Sequence, residues 1–177
     1  MRVVLVDLAI GVGLHGRVHR WSAIAEKYHS MMSTRTDGWN TVDEGPFGGW
    51  LTWVGDPFET LTGPYYYRTD DDGTIRGAFI PETKHLNGGG IVHGGALMTF
   101  ADAMLGALVY LGLNNQFAVT VTFNTEFVGS GAAGAPIYGT GRIVRETKSM
   151  VFLQAQLEQN DQPILAFSSA MKKITPN

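Results

Sequence analysis

The chain has 177 residues, of which 44% are hydrophobic, and this is enough for one domain with a substantial core. Its formal net charge of -3 provides no general basic field for nucleic acid, so we expect a small-molecule partner. The absence of cysteine excludes disulfides, a thiol nucleophile and cysteine-ligated metal, and it is compatible with the cytoplasmic location that we expect.

The N-terminal region contains three patterns that could indicate other functions. Residues 1–10 are apolar but include Asp7 and lack a clean cleavage site, so neither export nor a membrane partner is expected. The run from Gly11 to Gly16 matches a dinucleotide fingerprint, but no βαβ unit follows it. His15 and His19 have helical spacing without a third ligand nearby. We therefore expect no nicotinamide and no metal, and only an amphipathic helix at about residues 22–32.

The next region contains aromatic residues, glycine and proline, followed by a hairpin. Residues 39–62 favour a short helix and covering loops rather than regular strands. From Pro64 onward, Tyr65 to Arg68 and Thr74 to Ile80 predict two strands around a turn at Asp70 to Gly73. The predicted organisation is an N-terminal extension of residues 1–63 and a folded domain of residues 64–177.

A long apolar segment follows a glycine run and predicts the central helix. Ala96 to Leu111 is apolar on every side, which is typical of a helix buried all round, and only Thr99 and Asp102 interrupt it. Before it, His93-Gly94-Gly95 leaves backbone N–H groups free to meet a ligand. They lie at the helix end where the peptide dipoles favour negative charge.

Four strands are expected after this helix. The first alternates Phe117, Val119, Val121 and Phe123 with smaller or polar residues, which indicates one buried face. Short turns make the later strands antiparallel neighbours. A long apolar helix and one antiparallel sheet can bury each other only if the sheet curls round the helix, so we predict an α+β fold of this kind. The later strands are expected at residues 137–144, 150–158 and 164–172.

The spacing within the helix predicts a dimer. Eight residues separate Gly94 from Asp102, which corresponds to about 12 Å along a helix. This distance is too long for both groups to act on one carbon atom. If they serve the same reaction, they must come from two copies of the chain related by a two-fold axis.

Asn87, His93-Gly94-Gly95 and Asp102 together resemble a known motif. With six residues from Asn to His and nine from His to Asp, they are similar to the pattern of hotdog-fold acyl-CoA thioesterases of the phenylacetate-pathway type. The resemblance covers about residues 64–174. It implies a hotdog thioesterase domain that hydrolyses an aryl- or fatty-acyl-CoA. Coenzyme A would be part of the substrate, and no other cofactor would be needed.

The resemblance also implies roles for individual residues. The Gly94 N–H would polarise the thioester carbonyl, and Asp102 of the other subunit would act as base or nucleophile. Asn87 would position water or substrate, and His93 would orient the loop or bond near the thioester. Thr120, eighteen residues after Asp102, would help to hold the water.

Gly95, Arg145 and Lys148 are expected to contact coenzyme A, the last two from strand ends and turns. The assembly is expected to be a homodimer or a dimer of dimers. Two alternatives remain: a non-catalytic acyl-CoA-binding hotdog protein, or a hotdog hydratase or dehydratase. The second is disfavoured because His93 is the only histidine expected in the buried region.

Overall fold

A single antiparallel sheet and one long helix dominate the computed structural model, which describes residues 38–174. The predictions made for residues 1–37, including the glycine fingerprint, His15 and His19, lie outside the described residues. The sheet has eight strands in the order β1-β2-β3-β4-β6-β7-β8-β5. The elements are β1 Trp39–Thr41, β2 Leu51–Trp53, α1 Pro57–Thr62, β3 Tyr65–Thr69, β4 Ile75–Phe79, a 3₁₀ turn Thr83–His85, α2 Gly94–Gly112, β5 Phe117–Phe127, β6 Ile137–Glu146, β7 Met150–Gln159 and β8 Gln162–Ile174.

Helix α2 is the centre of the core and contacts β3 to β8, so the sheet curls around it as predicted. It is long and apolar enough to cross a membrane, but eight of its residues are buried in the core. The sheet approaches α2 closely at positions where it carries glycine. A Cβ atom on Gly77 would lie 2.6 Å from Met104 Sδ, and one on Gly141 would lie 2.8 Å from Leu108 Cδ1. We call the sheet face that packs against α2 the inner face, and the opposite one the outer face.

The predicted hairpin and the three strands after residue 136 are confirmed, but the region before them differs from the prediction. Two three-residue strands, β1 and β2, extend the sheet beyond β3, where only loops and a helix were expected. Strands this short have no detectable periodicity, and their conformation is decided by the pairing of β2 with β3 and of β1 with β2. The predicted helix is present as α1. The boundary between residues 63 and 64 stays a prediction.

Within a single chain the central helix is not buried all round, contrary to the prediction. Gly95, Met98 and Asp102 are exposed, and Thr99 and Gly106 are partly exposed on the same side. Their spacing of three or four residues defines one stripe along the helix, which we call the open stripe. No described segment of the chain covers it, because the sheet surrounds only part of the helix circumference.

Strand β5 carries an irregularity that changes which side chains face the helix. The register shifts between Thr120, opposite Met171, and Thr122, opposite Ala170, so Val121 is the extra residue of a β-bulge. Opposite residues share a face, and Met171 belongs to the core beside α2. Thr120 therefore lies on the inner face.

The same face receives Phe123, whose ring lies 5.6 Å from that of Phe167 in the core. The predicted regular alternation placed Thr120 and Phe123 on opposite faces of β5. It is wrong at this point, because the bulge puts both residues on the inner face.

A second, smaller core lies on the outer face. The loop between β1 and β2 folds back over β3, β4 and β6, and buries Phe47 and Trp50 against Ala78. The Phe47 ring stacks on Tyr66 at 4.4 Å, and the Arg68 guanidinium lies 4.6 Å from the Trp50 ring centroid. The aromatic loop expected from the sequence thus covers the sheet.

Candidate active site

The N-terminus of α2 presents one free backbone donor. His93 is the N-cap residue, and its Nδ1 accepts a hydrogen bond of 2.8 Å from the Gly95 N–H. Since Nδ1 is the acceptor, the ring proton lies on Nε2. The Gly94 N–H has no acceptor in the described part of the chain. Of the two glycine N–H groups expected to be free, therefore, only that of Gly94 remains available.

Asn87 shapes the loop that leads into α2. Its Oδ1 accepts a 2.8 Å hydrogen bond from the Gly89 N–H, and its backbone N–H donates to the carbonyl of Ile91. These contacts close a tight turn in front of the helix. Because the side-chain oxygen is engaged, the Nδ2 amide is the part of Asn87 that remains to contact a ligand.

Asp102 and Thr120, both selected from the sequence, lie in direct contact. The Thr120 hydroxyl donates a 2.7 Å hydrogen bond to Asp102 Oδ1, and both residues are exposed. The bulge at Val121 makes this contact possible, because it places Thr120 on the inner face. One carboxylate oxygen is thus held, and the other has no partner among the described residues.

Phe127, the last residue of β5, lies over the start of α2. A Cβ atom placed on Gly94 would be 3.0 Å from Phe127 Cε1 and 3.1 Å from Cζ. Phe127 could not be selected from the sequence alone, because its contact with Gly94 depends on how β5 crosses the helix.

Comparison with known proteins identifies the family. The sequence model of the family described as the thioesterase superfamily matches residues 89–166. A candidate esterase of Pseudomonas aeruginosa, PA0474, is 31% identical over 113 residues, which are 63% of this chain and 84% of the relative. The chain belongs to the thioesterase superfamily.

Solved structures of low sequence identity support the hotdog fold of this thioesterase-superfamily protein. The Escherichia coli PaaI protein from the phenylacetic acid degradation operon is 20% identical, with a TM-score of 0.59, and the match covers 68% of this chain and 86% of that one. A hypothetical thioesterase protein of Streptococcus pneumoniae, solved with coenzyme A, is 19% identical with a TM-score of 0.54, covering 62% and 87%. The predicted hotdog fold is confirmed.

The family match includes His93, Gly94, Asp102 and Thr120 but begins at residue 89, after Asn87. Assignment to the phenylacetate-pathway type by the Asn-containing motif therefore stays a prediction.

Within one chain, the two charged residues expected to hold coenzyme A, Arg145 and Lys148, do not lie beside Asp102. Arg145 is opposite Phe152, which is opposite Ala170, so Arg145 lies on the outer face, whereas Asp102 lies on the inner side. Lys148 is exposed in the turn between β6 and β7. Their role, like that of Gly95, stays a prediction. No three His, Asp or Glu side chains within residues 38–174 are grouped so as to hold a metal ion.

Sequence reasoning missed His85, which is buried whereas His93 is exposed. Its Nδ1 accepts from the Glu82 N–H, and its Nε2 lies 2.8 Å from the Thr62 carbonyl, to which it donates. The His85 carbonyl in turn accepts from the His93 N–H. His85 thereby ties the end of α1 to the start of α2. Both of its ring nitrogens are engaged by the backbone, so it does not supply the catalytic histidine of a hydratase.

Gln159 was also missed, although it is buried and fixes a loop beside the site. Its side-chain amide exchanges hydrogen bonds of 2.7 and 2.9 Å with the backbone of Ala132, and a third reaches the Ala135 carbonyl. The neighbouring Gly131 carbonyl accepts from the Val92 N–H. The loop rich in glycine and alanine thus packs against the segment that enters α2.

Proposed function

We propose that this protein hydrolyses the thioester of an acyl-CoA to the free acid and coenzyme A, as a homodimer with shared sites. Gly94 and Asn87 of each site would come from one chain and Asp102 from the other. The observation that carries this proposal is the free Gly94 N–H at a helix start, on the same helix as an exposed Asp102 held by Thr120.

The groups match the steps of thioester hydrolysis. The carbonyl oxygen accepts a hydrogen bond from the Gly94 N–H, where the helix dipole also stabilises the oxyanion. Asp102, held through Oδ1 by Thr120, uses its other oxygen to remove a proton from the attacking water. The water oxygen bonds to the carbonyl carbon, the carbon–sulfur bond breaks, and the proton passes from Asp102 to the coenzyme A thiolate.

The exposed edge of β5 supports the dimer. This eleven-residue strand ends the sheet and pairs only with β8 among the described strands. Val119 and Val121 are 47% and 56% exposed along it. A long edge strand with apolar side chains is a surface for pairing with another strand. Antiparallel pairing with a second β5 would extend the sheet across both chains.

This pairing would complete the site. If the two-fold axis passes between Phe123 and Asn124, Thr120 of one chain lies opposite the partner's Phe127. Asp102 is hydrogen-bonded to Thr120, and Phe127 contacts Gly94. Each Asp102 is therefore brought toward Gly94 of the other chain, which removes the 12 Å separation.

The open stripe of α2 fits the same axis. Gly95 and Asp102 lie three and four residues on either side of Met98, and all three are exposed. Two such helices, placed antiparallel with their Met98 side chains at the axis, would cover each other's stripe.

The coenzyme A present with the Streptococcus pneumoniae thioesterase further supports an acyl-CoA ligand.

A mixed dimer tests the proposal. Asn87→Asp retains the oxygen that accepts from Gly89 but removes the amide donor, and Asp102→Asn retains the shape but removes the charge. After each homodimer has been shown to be poorly active, the two variants are co-expressed with different tags and purified as a mixed dimer. One site then carries both defects, and the other carries none. About half of the wild-type acyl-CoA hydrolysis, followed with a free-thiol reagent, should return.

The outcomes separate the possible arrangements. An inactive mixed dimer would show that each site draws both residues from one chain, provided that re-running the tags excludes subunit exchange. Light scattering that reports an active monomer at assay concentration would also reject the shared site. Wild-type protein without hydrolysis of any acyl-CoA, but with measurable acyl-CoA binding, would support the non-catalytic alternative.

A further inference from the structure

Phe127 is placed where an acyl group would leave the thioester carbonyl. Its ring tip touches the position of a Gly94 Cβ atom, while 53% of the side chain stays exposed. The carbonyl oxygen bound by the Gly94 N–H would lie about 3 Å from the nitrogen. An acyl group that extends from this carbonyl toward the end of β5 would make apolar contact with the Phe127 ring.

Two other exposed apolar side chains flank the same helix start. Ile91, three residues before Gly94, is 43% exposed, and Met98, one turn into α2, is 36% exposed. The acidic neighbour of Phe127 on β5, Glu126, points to the opposite face of the sheet, because neighbouring side chains alternate along a strand. Ile91, Met98 and Phe127 therefore form an apolar patch at the start of α2, with His93 and Asn87 as its polar neighbours.

We propose that Phe127 determines acyl specificity, selecting hydrocarbon acyl groups over acyl groups that carry a charge near the carbonyl. This inference rests on the proposed function, because it assigns a substrate class to the same site. The physical basis is that a charged acyl group would lose hydration against the ring without gaining a partner, whereas a hydrocarbon group would bury apolar surface.

The experiment compares hexanoyl-CoA with succinyl-CoA, which are similar in length but differ in a terminal carboxylate. The ratio of their kcat/KM values should exceed one in the wild type and should fall about tenfold in Phe127→Ala, the size of effect expected from losing one apolar contact surface. Phe127→Leu should retain most of the ratio. The matched control is Phe152→Ala, because Phe152 is 40% exposed on the outer face, and its loss should leave the ratio unchanged.

Each outcome has one meaning. An unchanged ratio in Phe127→Ala, or an equal fall for both substrates, would overturn the inference, because the ring would then act only by holding Gly94. If Phe127→Ala does not fold by circular dichroism, Phe127→Gln provides the same comparison at this exposed position. A wild type that hydrolyses succinyl-CoA as efficiently as hexanoyl-CoA would overturn only this inference, whereas a wild type that hydrolyses neither these nor any other acyl-CoA would reject the proposed function itself.

Discussion

Replacing Thr120 with Val should lower kcat, because Asp102 loses the hydrogen bond that holds its carboxylate. Val has nearly the shape of Thr and is equally suited to a strand, so β5 and its bulge should be retained. What is lost is the 2.7 Å hydrogen bond from the Thr120 hydroxyl to Asp102 Oδ1. A hydrogen bond to a charged group contributes roughly 1.5–3 kcal/mol, and the exposure of this pair favours the lower end. At about 1.4 kcal/mol per factor of ten, kcat should fall about tenfold.

The assay is a steady-state measurement of kcat and KM on Thr120→Val, Asp102→Asn and the double variant. Asp102→Asn alone should lower kcat by roughly 10²- to 10⁴-fold, as for the loss of a general base. If Thr120 acts by holding Asp102, adding Thr120→Val to Asp102→Asn should cause little further loss. A tenfold loss in both backgrounds would refute this reasoning, as would a wild-type rate for Thr120→Val. Circular dichroism and Tm establish that the variants are folded.

Three further predictions concern stability and are measured by thermal or denaturant unfolding. Gly141→Ala should destabilise by about 1–3 kcal/mol, because the new Cβ would lie 2.6 Å from Ala155 Cβ in a packed core; an unchanged Tm would show that β6 can move. Tyr67→Phe should be neutral or stabilising, because the buried hydroxyl has no partner in the described part of the chain. Burial raises the pKa of Tyr67 well above 10.0, so stability should fall above pH 10 as the unfolded state ionises, and less steeply in Tyr67→Phe. His93→Ala should lose about 1 kcal/mol by removing the cap on the Gly95 N–H, and His93→Asn should retain most of it; equal losses would contradict a capping role.

Local patterns predicted most of the regular elements. The central helix and the strands from Tyr65 onward follow from apolar periodicity and turn residues, which act over a few neighbouring positions. The family resemblance placed Thr120 in the same site as Asp102 but gave it the role of holding the water, so the direct hydrogen bond between the two side chains was not predicted.

Features that depend on distant pairing were not visible in the sequence. Strand β5 follows α2 directly, yet it pairs with β8 at the far edge of the sheet, and the bulge at Val121 breaks a regular alternation. The open stripe was missed because Gly95 and Met98 are as compatible with burial as with exposure. Phe127 became a site residue only through the crossing of strand and helix.

The loop that buries Phe47 and Trp50 would also limit how the proposed dimers could assemble further. It covers the outer face at β3, β4 and β6, where Ala78 is fully buried. If two dimers packed against each other through the outer face of β3, β4 and β6, the loop would have to be displaced. The outer face of β7, β8 and β5 carries Phe152 and polar side chains such as Gln154 and Gln156, and no segment within residues 38–174 covers it. Any dimer of dimers built through the outer face must therefore be offset toward β5, which would set the two dimers off-centre rather than squarely stacked.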